Sequence, residues 1–180
     1  MKILIVSDVH GNYFNMKKVF ENEPTFDCIF LLGDILSGPY IEGYDPDRLA
    51  ELLNLYSNKI FYVRGNCDVS RMDLLDFYME RDYMYLPIDK KIFFLTHGHL
   101  YNEYHLPDMD DKIDVYMQGH THIPVMREER GIIYLNPGSI TLPKGNSDKS
   151  YIVYEDGLFF LKDLEENSVI KKIHIYGVIN

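Results

Sequence analysis

The chain has 180 residues, 46% of them hydrophobic and 26% charged, with a formal net charge of −10. That size suits one soluble domain, residues 1 to 180, burying roughly two-thirds of its unfolded surface. The acidic excess argues against an extended nucleic-acid footprint, and two cysteines are too few to staple such a domain; no apolar run approaches the ~20 residues of a membrane span, so a cytoplasmic protein off the membrane is expected.

Lys2 to Ser7 reads K-I-L-I-V-S, a β-branched apolar run of the kind that fills a strand buried on both faces. It stops at Asp8, Val9, His10, Gly11 and Asn12, where an extended backbone would point Asp8 and His10 to the same side. A helix is expected next, with Asn12 near its start, Met16, Val19 and Phe20 on one face, and Pro24 beyond its end. Cys28 to Leu32 is a second buried strand, closing on Gly33 and Asp34. Asp45 and Pro46 supply an N-cap and a first-turn proline for a helix that carries Leu49, Leu52, Leu53 and Tyr56 on one face.

Ile60 to Val63 is a third strand, closing on Arg64, Gly65, Asn66, Cys67 and Asp68. The spacing of Leu75, Tyr78 and Met79 predicts a helix over Ser70 to Arg81. Ile92 to Leu95 then leads through Thr96 into His97, Gly98 and His99, and Val115 to Met117 leads through Gln118 into Gly119, His120, Thr121 and His122. Ile132 to Leu135 runs into a tight turn, Asn136 to Ser139. Tyr151 to Tyr154 and Leu158 to Leu161 flank Asp156-Gly157 as a hairpin, and Val169 to Tyr176 alternates like a half-exposed strand. Strand and helix alternate early and strands follow one another late, which predicts an α/β fold of two mixed β-sheets packed as a sandwich flanked by helices. Asp, Asn and His recur at the carboxyl ends of its strands, where open α/β sheets bind ligands.

Asp8, His10, Asp34, Asn66, His97, His120 and His122 together offer carboxylate, amide and imidazole donors without thiolate. That mixture suits borderline divalent ions such as Mn²⁺, Fe²⁺ or Zn²⁺ better than Ca²⁺ or a cysteine-rich structural zinc. The set is too large for one ion with an open position and suits two ions sharing a carboxylate, with Asp34 as the candidate bridge.

In this order, Asp8-Val9-His10, Gly33-Asp34, Gly65-Asn66-Cys67-Asp68, His97-Gly98-His99 and Gly119-His120-Thr121-His122 resemble the calcineurin-like metallophosphoesterases, and the G-N-C-D form resembles their compact YfcE-like phosphodiesterase branch. The resemblance implies an αββα fold with Asp8, His10 and His122 on a first metal, Asn66, His97 and His120 on a second, and Asp34 between them. It implies two divalent ions, Mn²⁺ first and Ni²⁺, Fe²⁺ or Zn²⁺ as alternatives, and hydrolysis of a small phosphodiester by a metal-activated water or hydroxide. Asn66 and His99 are expected to touch a non-bridging oxygen, with Asn12 and Asp68 behind the ligands, orienting a histidine or a loop. Many members of the wider superfamily carry histidine where this chain has Cys67; a thiol is a poorer donor to a leaving group, so diesters with good leaving groups are expected to be handled best.

Plainer readings fit other residues. His105 and His174 read as surface or core, Cys28 as packing, Gly138 and Ser139 as turn chemistry. Asp108, Asp110, Asp111, Glu165 and Glu166 read as solvated surface, and Arg64 and Arg71 as structural partners as readily as phosphate contacts. Tyr78 to Tyr85 offers a surface for a homo-oligomer. Rival functions on the same fold are a phosphomonoesterase, a nuclease, or a non-catalytic scaffold like a retromer subunit; completeness of the ligand set favours the enzyme.

Overall fold

In β1 (Lys2–Val6) the apolar run is continuous because both faces are covered. Leu4 and Val6 point into one apolar layer and Ile3 and Ile5 into another, all four fully buried. The same holds for β2 (Cys28–Leu31), parallel to β1, and β3 (Ile60–Tyr62) lies parallel beyond it. This computed structural model describes residues 1–107 and 112–176, so the reading of Asp108, Asp110 and Asp111 lies outside the described residues.

Helix α1 (Tyr13–Asn22) is capped by Asn12, whose Oδ1 accepts from the Asn15 N–H at 3.0 Å. Asp45 caps α2 (Pro46–Asn54) in the same way, with Pro46 in the first turn. Both helices lay their apolar faces, Met16, Val19 and Phe20 with Leu49, Ala50 and Leu53, on the outer side of β1 to β3.

The expected helix over Ser70 to Arg81 does not form. A single 3-10 turn, Met72–Leu74, follows Arg71 in a left-handed conformation, and Leu75 is already extended. Asn54 holds the segment instead, donating to the Leu74 carbonyl and accepting from the Asp76 N–H. Leu75 is buried in the first core layer and Phe77 and Tyr78 pack against it without a helix, whereas Met79, the third residue of the expected face, is exposed.

The second sheet is built from β4 (Tyr83–Ile88), β5 (Lys91–Thr96), β6 (Val115–Met117), β7 (Val125–Glu129) and β8 (Ile132–Asn136), in the order β4-β5-β6-β8-β7. Its central strands are parallel and its edges antiparallel. The hairpin β9 (Ser150–Glu155) and β10 (Leu158–Asp163), with β11 (Val169–His174), completes a six-stranded first sheet in the order β11-β10-β9-β1-β2-β3. Phe30, Phe93, Leu95, Met117, Leu135 and Phe159 fill the space between the two sheets. Tyr83 and Tyr85 of β4, in the stretch expected to be an oligomer surface, pack on Phe94 on the far side of the second sheet. Among the described residues no helix is long and apolar enough to cross a membrane.

One buried charge ties the two ends of the chain. Glu23, just past α1, meets Lys2 Nζ at 2.7 Å, the Lys162 ammonium, and the Tyr151 hydroxyl at 3.2 Å. Burial would raise its carboxyl, but the two ammonium groups outweigh burial and hold it below the usual carboxylate range. The stabilisation is therefore present above the unfolded-state pKa and lost as pH falls through the lower folded value. We expect Glu23→Gln to cost about 2–3 kcal/mol at pH 7, after allowing for partial exposure of the lysines. The difference should shrink below about pH 4 in urea titrations; an equal cost at pH 7 and pH 3.5 would show that charge is not what matters there.

Candidate metal centre

Every candidate ligand follows a strand. Ser7 and Asp8 leave β1, Gly33 and Asp34 follow β2, Gly65 and Asn66 follow β3, His97 leaves β5, and Gly119 and His120 leave β6. The backbone after β1 is not extended as expected: Asp8, His10, Asp34, His120 and His122 all have left-handed φ, between 49° and 65°. The β1–β2 pairing nevertheless continues through these loops, with Asp8 N–H to Gly33 O at 3.1 Å, His10 N–H to Asp34 O at 2.9 Å and Gly11 N–H to Ile35 O at 2.7 Å. Aligned hydrogen bonds thus hold a conformation that non-glycine residues otherwise avoid.

Two glycines allow the loops to meet. A Cβ on Gly119 would lie 1.8 Å from Ser7 Oγ, and one on Gly65 would lie 2.1 Å from Asp34 Oδ1. Neither neighbour has room to withdraw, because Ser7 Oγ donates to Asp8 Oδ2 and Asp34 Oδ1 accepts from the Cys67 N–H at 2.8 Å.

Three histidines are oriented by backbone carbonyls. His10 Nδ1 meets Ser37 O at 2.9 Å, His97 Nδ1 meets Leu32 O at 2.6 Å, and His122 Nδ1 meets Leu142 O at 2.6 Å. A carbonyl can only accept, so the Nδ1 proton is fixed, and whenever a ring is neutral, as a metal ligand must be, it turns the lone pair of Nε2 inward. His122 Nε2 comes to 3.2 Å from Asp8 Oδ1, and the His10 and His122 Nε2 atoms lie 3.4 Å apart.

Across the cluster, Asp34 Oδ2 lies 3.5 Å from His97 Nε2 and 3.9 Å from His10 Nε2, and Asn66 Oδ1 is 3.1 Å from His97 Nε2. The His120 ring stands 5.0 Å from that of His97. Ligand atoms of Asp8, His10 and His122 fall within 4.8 Å of one another, as do those of Asp8, Asp34 and His97, and those of His10, Asp34 and Cys67. Asp34 thus belongs to two groups that between them reach both sides of the cluster.

The decisive atom is Asp8 Oδ1. It is buried and, among the described residues and with the His122 ring neutral, accepts no hydrogen bond, while Oδ2 accepts from both the Ser7 hydroxyl, at 2.6 Å, and the His120 N–H, at 2.9 Å. A buried anionic oxygen without a donor is costly, and a cation between it and inward-facing imidazole lone pairs would remove that cost. The donors present therefore fit divalent metal.

Burial would raise Asp34, but the hydrogen bond and charge of His97 and the Cys67 N–H outweigh it and hold the carboxyl well below the usual range. Burial would likewise lower His97, yet Asp34 and Asp8 raise it. Burial and the neighbouring His97 and His120 charges push His99 down; its Nδ1 is buried without a partner, and its ring lies 5.3 Å from that of His97. Burial, then Asp34, pushes the Cys67 thiol up to about 12, so it stays protonated.

Asp68 accepts from the backbone N–H groups of Asp34, Ile35 and Gly65, each at 2.8 Å, and from the Tyr62 hydroxyl at 2.9 Å. It binds the Asp34 loop to the Asn66 loop rather than orienting a histidine. Asn12 caps α1 and donates to Glu42 O, so its bonds also go to a loop. Arg64 and Arg71 are engaged by Asp82 and Asp47.

Several supporting residues have no signature of their own in the sequence. Ser139, read as turn chemistry, donates to the Asp8 carbonyl at 2.7 Å and accepts from the N–H groups of Thr141 and Leu142. Thr141 donates to Val9 O, and Asn136 donates to Gly119 O. The segment after β8 therefore clamps the Asp8 loop and delivers the Leu142 carbonyl to His122.

The family model for the calcineurin-like phosphoesterase superfamily domain matches residues 1–156. The chain belongs to that superfamily. It is 36% identical to phosphodiesterase YfcE of Escherichia coli, over 97% of this chain and 98% of that protein. It is 30% identical to phosphodiesterase MJ0936 of Methanocaldococcus jannaschii, over 77% of this chain and 83% of the relative. The solved structure of the E. coli phosphoesterase superposes with a TM-score of 0.88 at 34% identity, covering 97% of this chain and all of that one. Vacuolar protein sorting 29 from Cryptosporidium parvum shares the fold, at a TM-score of 0.68 and 17% identity.

Proposed function

We propose that this chain is a metal-dependent phosphodiesterase acting on small diesters. The observation that carries the reading is the undonated Asp8 Oδ1 facing the inward lone pairs of His10 and His122, with Asp34 shared toward His97. Asp8, His10 and His122 would hold one divalent ion, Asn66, His97 and His120 a second, and Asp34 both. Mn²⁺ is the proposed working metal, and the same donors accept Ni²⁺, Fe²⁺ or Zn²⁺. Bound there, such ions neutralise phosphate charge and lower the pKa of water near the phosphorus.

The protein's own part is positioning. Carbonyl-anchored imidazoles and the Asp68 clamp set the donors before substrate arrives, so little reorganisation is needed during reaction. The Asn66 amide and His99, whose Nδ1 has no partner among the described residues, would meet non-bridging phosphate oxygens beside the cluster. Cys67 Sγ lies within the group that contains His10 and Asp34 and, as a thiol, offers a leaving group only a weak donor.

The deciding experiment strips the protein of metal and restores Mn²⁺, Mg²⁺, Zn²⁺ or Ni²⁺ singly. Hydrolysis of bis(4-nitrophenyl) phosphate and of 4-nitrophenyl phosphate is followed beside an Asp34→Asn control. Metal-restored cleavage of the diester, above the monoester and lost in the control, is the expected result. Monoester preference would point to a phosphatase, and inactivity with every metal despite bound ions to a scaffold. Cys67→His should raise turnover of a diester with an alkoxide leaving group by about tenfold relative to the nitrophenyl diester. An unchanged ratio would remove Cys67 from leaving-group chemistry.

A further inference from the structure

Beside the candidate ligands, one wall of the cavity is made by Leu142, Pro143 and Lys144. The cavity encloses about 490 Å³, within the range of small-molecule sites and larger than a phosphate group needs. Lys144 is its one lysine or arginine. It is exposed and forms no ion pair among the described residues, whereas Arg64, Arg71 and Lys149 are engaged by Asp82, Asp47 and Glu165.

Its placement is built into the loop. The Lys144 N–H donates to the His122 carbonyl at 3.1 Å, and its own carbonyl accepts from the Ser147 hydroxyl at 2.7 Å and the Ser147 N–H at 3.3 Å. Gly145 and Asn146, both at left-handed φ, close the turn. The residue is thus anchored on both sides of its Cα, one anchor being the backbone of a candidate ligand. In a chain of net charge −10, an unpaired lysine whose backbone is fixed at the rim of the site is an attraction for a second anion.

We propose that Lys144 is a specificity-determining residue that binds a second anionic group, a further phosphate or a carboxylate, on one arm of the diester. The inference rests on the diesterase reading of the same site. The scissile phosphate occupies the metal cluster, the linking part of the substrate lies along Leu142 and Pro143, and the second anion meets the ammonium outside them. Esters with one charge leave Lys144 unused.

Two nitrophenyl esters that differ by one phosphate separate these cases: thymidine 5′-(4-nitrophenyl phosphate), and the same ester carrying a 3′-phosphate. With Mn²⁺-loaded wild type, kcat/KM should favour the 3′-phosphorylated ester by about tenfold, expressed mainly in KM. Lys144→Met should bring the ratio to about one, and Lys144→Arg should keep it. Calorimetric binding of thymidine 3′,5′-bisphosphate against thymidine 5′-phosphate, to the same loaded proteins, should show the same pattern without turnover. An equal preference in wild type and Lys144→Met, or no preference for the bisphosphate in wild type, overturns the assignment. If neither ester is cleaved, the diesterase reading fails, and the calorimetric comparison still decides Lys144.

Discussion

Asp34→Asn should lower metal-dependent kcat/KM by on the order of 10³-fold while leaving the metal-free protein folded. The asparagine keeps an oxygen in the place of Asp34 Oδ1, so the bond from the Cys67 N–H survives. It removes the negative charge that two groups of candidate ligands share. In thermal melts the metal-free variant should fall below the wild type, because the amide loses the charge that pairs with His97, whereas the rise in Tm on adding Mn²⁺ should largely disappear, because ligand-linked stabilisation depends on affinity. An undiminished Mn²⁺-dependent rise together with full activity would remove Asp34 from the centre.

The largest effect on stability should come from Asp68→Ala, at about 3–5 kcal/mol. The carboxylate is 2% exposed and is the acceptor for three backbone N–H groups and a tyrosine hydroxyl. Burial pushes its carboxyl up, against the pull of the Gly65 and Ile35 N–H groups. Truncation leaves those donors buried and unpaired; Asp68→Asn keeps one acceptor oxygen but turns an amide donor toward them, and should fall between. The urea midpoint of metal-free protein measures both, and a loss under about 1 kcal/mol for the alanine variant would mean that water replaces the carboxylate.

Where the chain is buried on both faces, its fold was legible. β1 and β2 read as unbroken apolar runs because a helix layer and a sheet layer cover their two sides. β4 and β7 were not legible, since both are edge strands: β4 carries Pro87, and β7 ends in Arg127, Glu128 and Glu129, the residues that edges tolerate. The segment after Ser70 misled because Leu75 is indeed buried and Tyr78 partly so, yet through a short turn and the Asn54 side chain rather than a helix. The candidate ligands could be named because side-chain identity carries their chemistry. The atoms that aim them could not, because Ser37, Leu32 and Leu142 act through carbonyls that every residue possesses.

The left-handed backbone at Asp8, His10, Asp34, His120 and His122 bears on how such a chain can change over generations. Each of these conformations costs a non-glycine residue about 1 kcal/mol or more, a cost that glycine escapes. At His10, His120 and His122 a replacement by glycine would relieve that strain while removing a proposed ligand, whereas at Asp8 and Asp34 it would also strip the acceptors from the Ser7, His120 and Cys67 donors. Under the proposed function, selection for turnover holds those three histidines against that relief. A lineage released from that selection would be expected to lose those histidines before the sandwich beneath them.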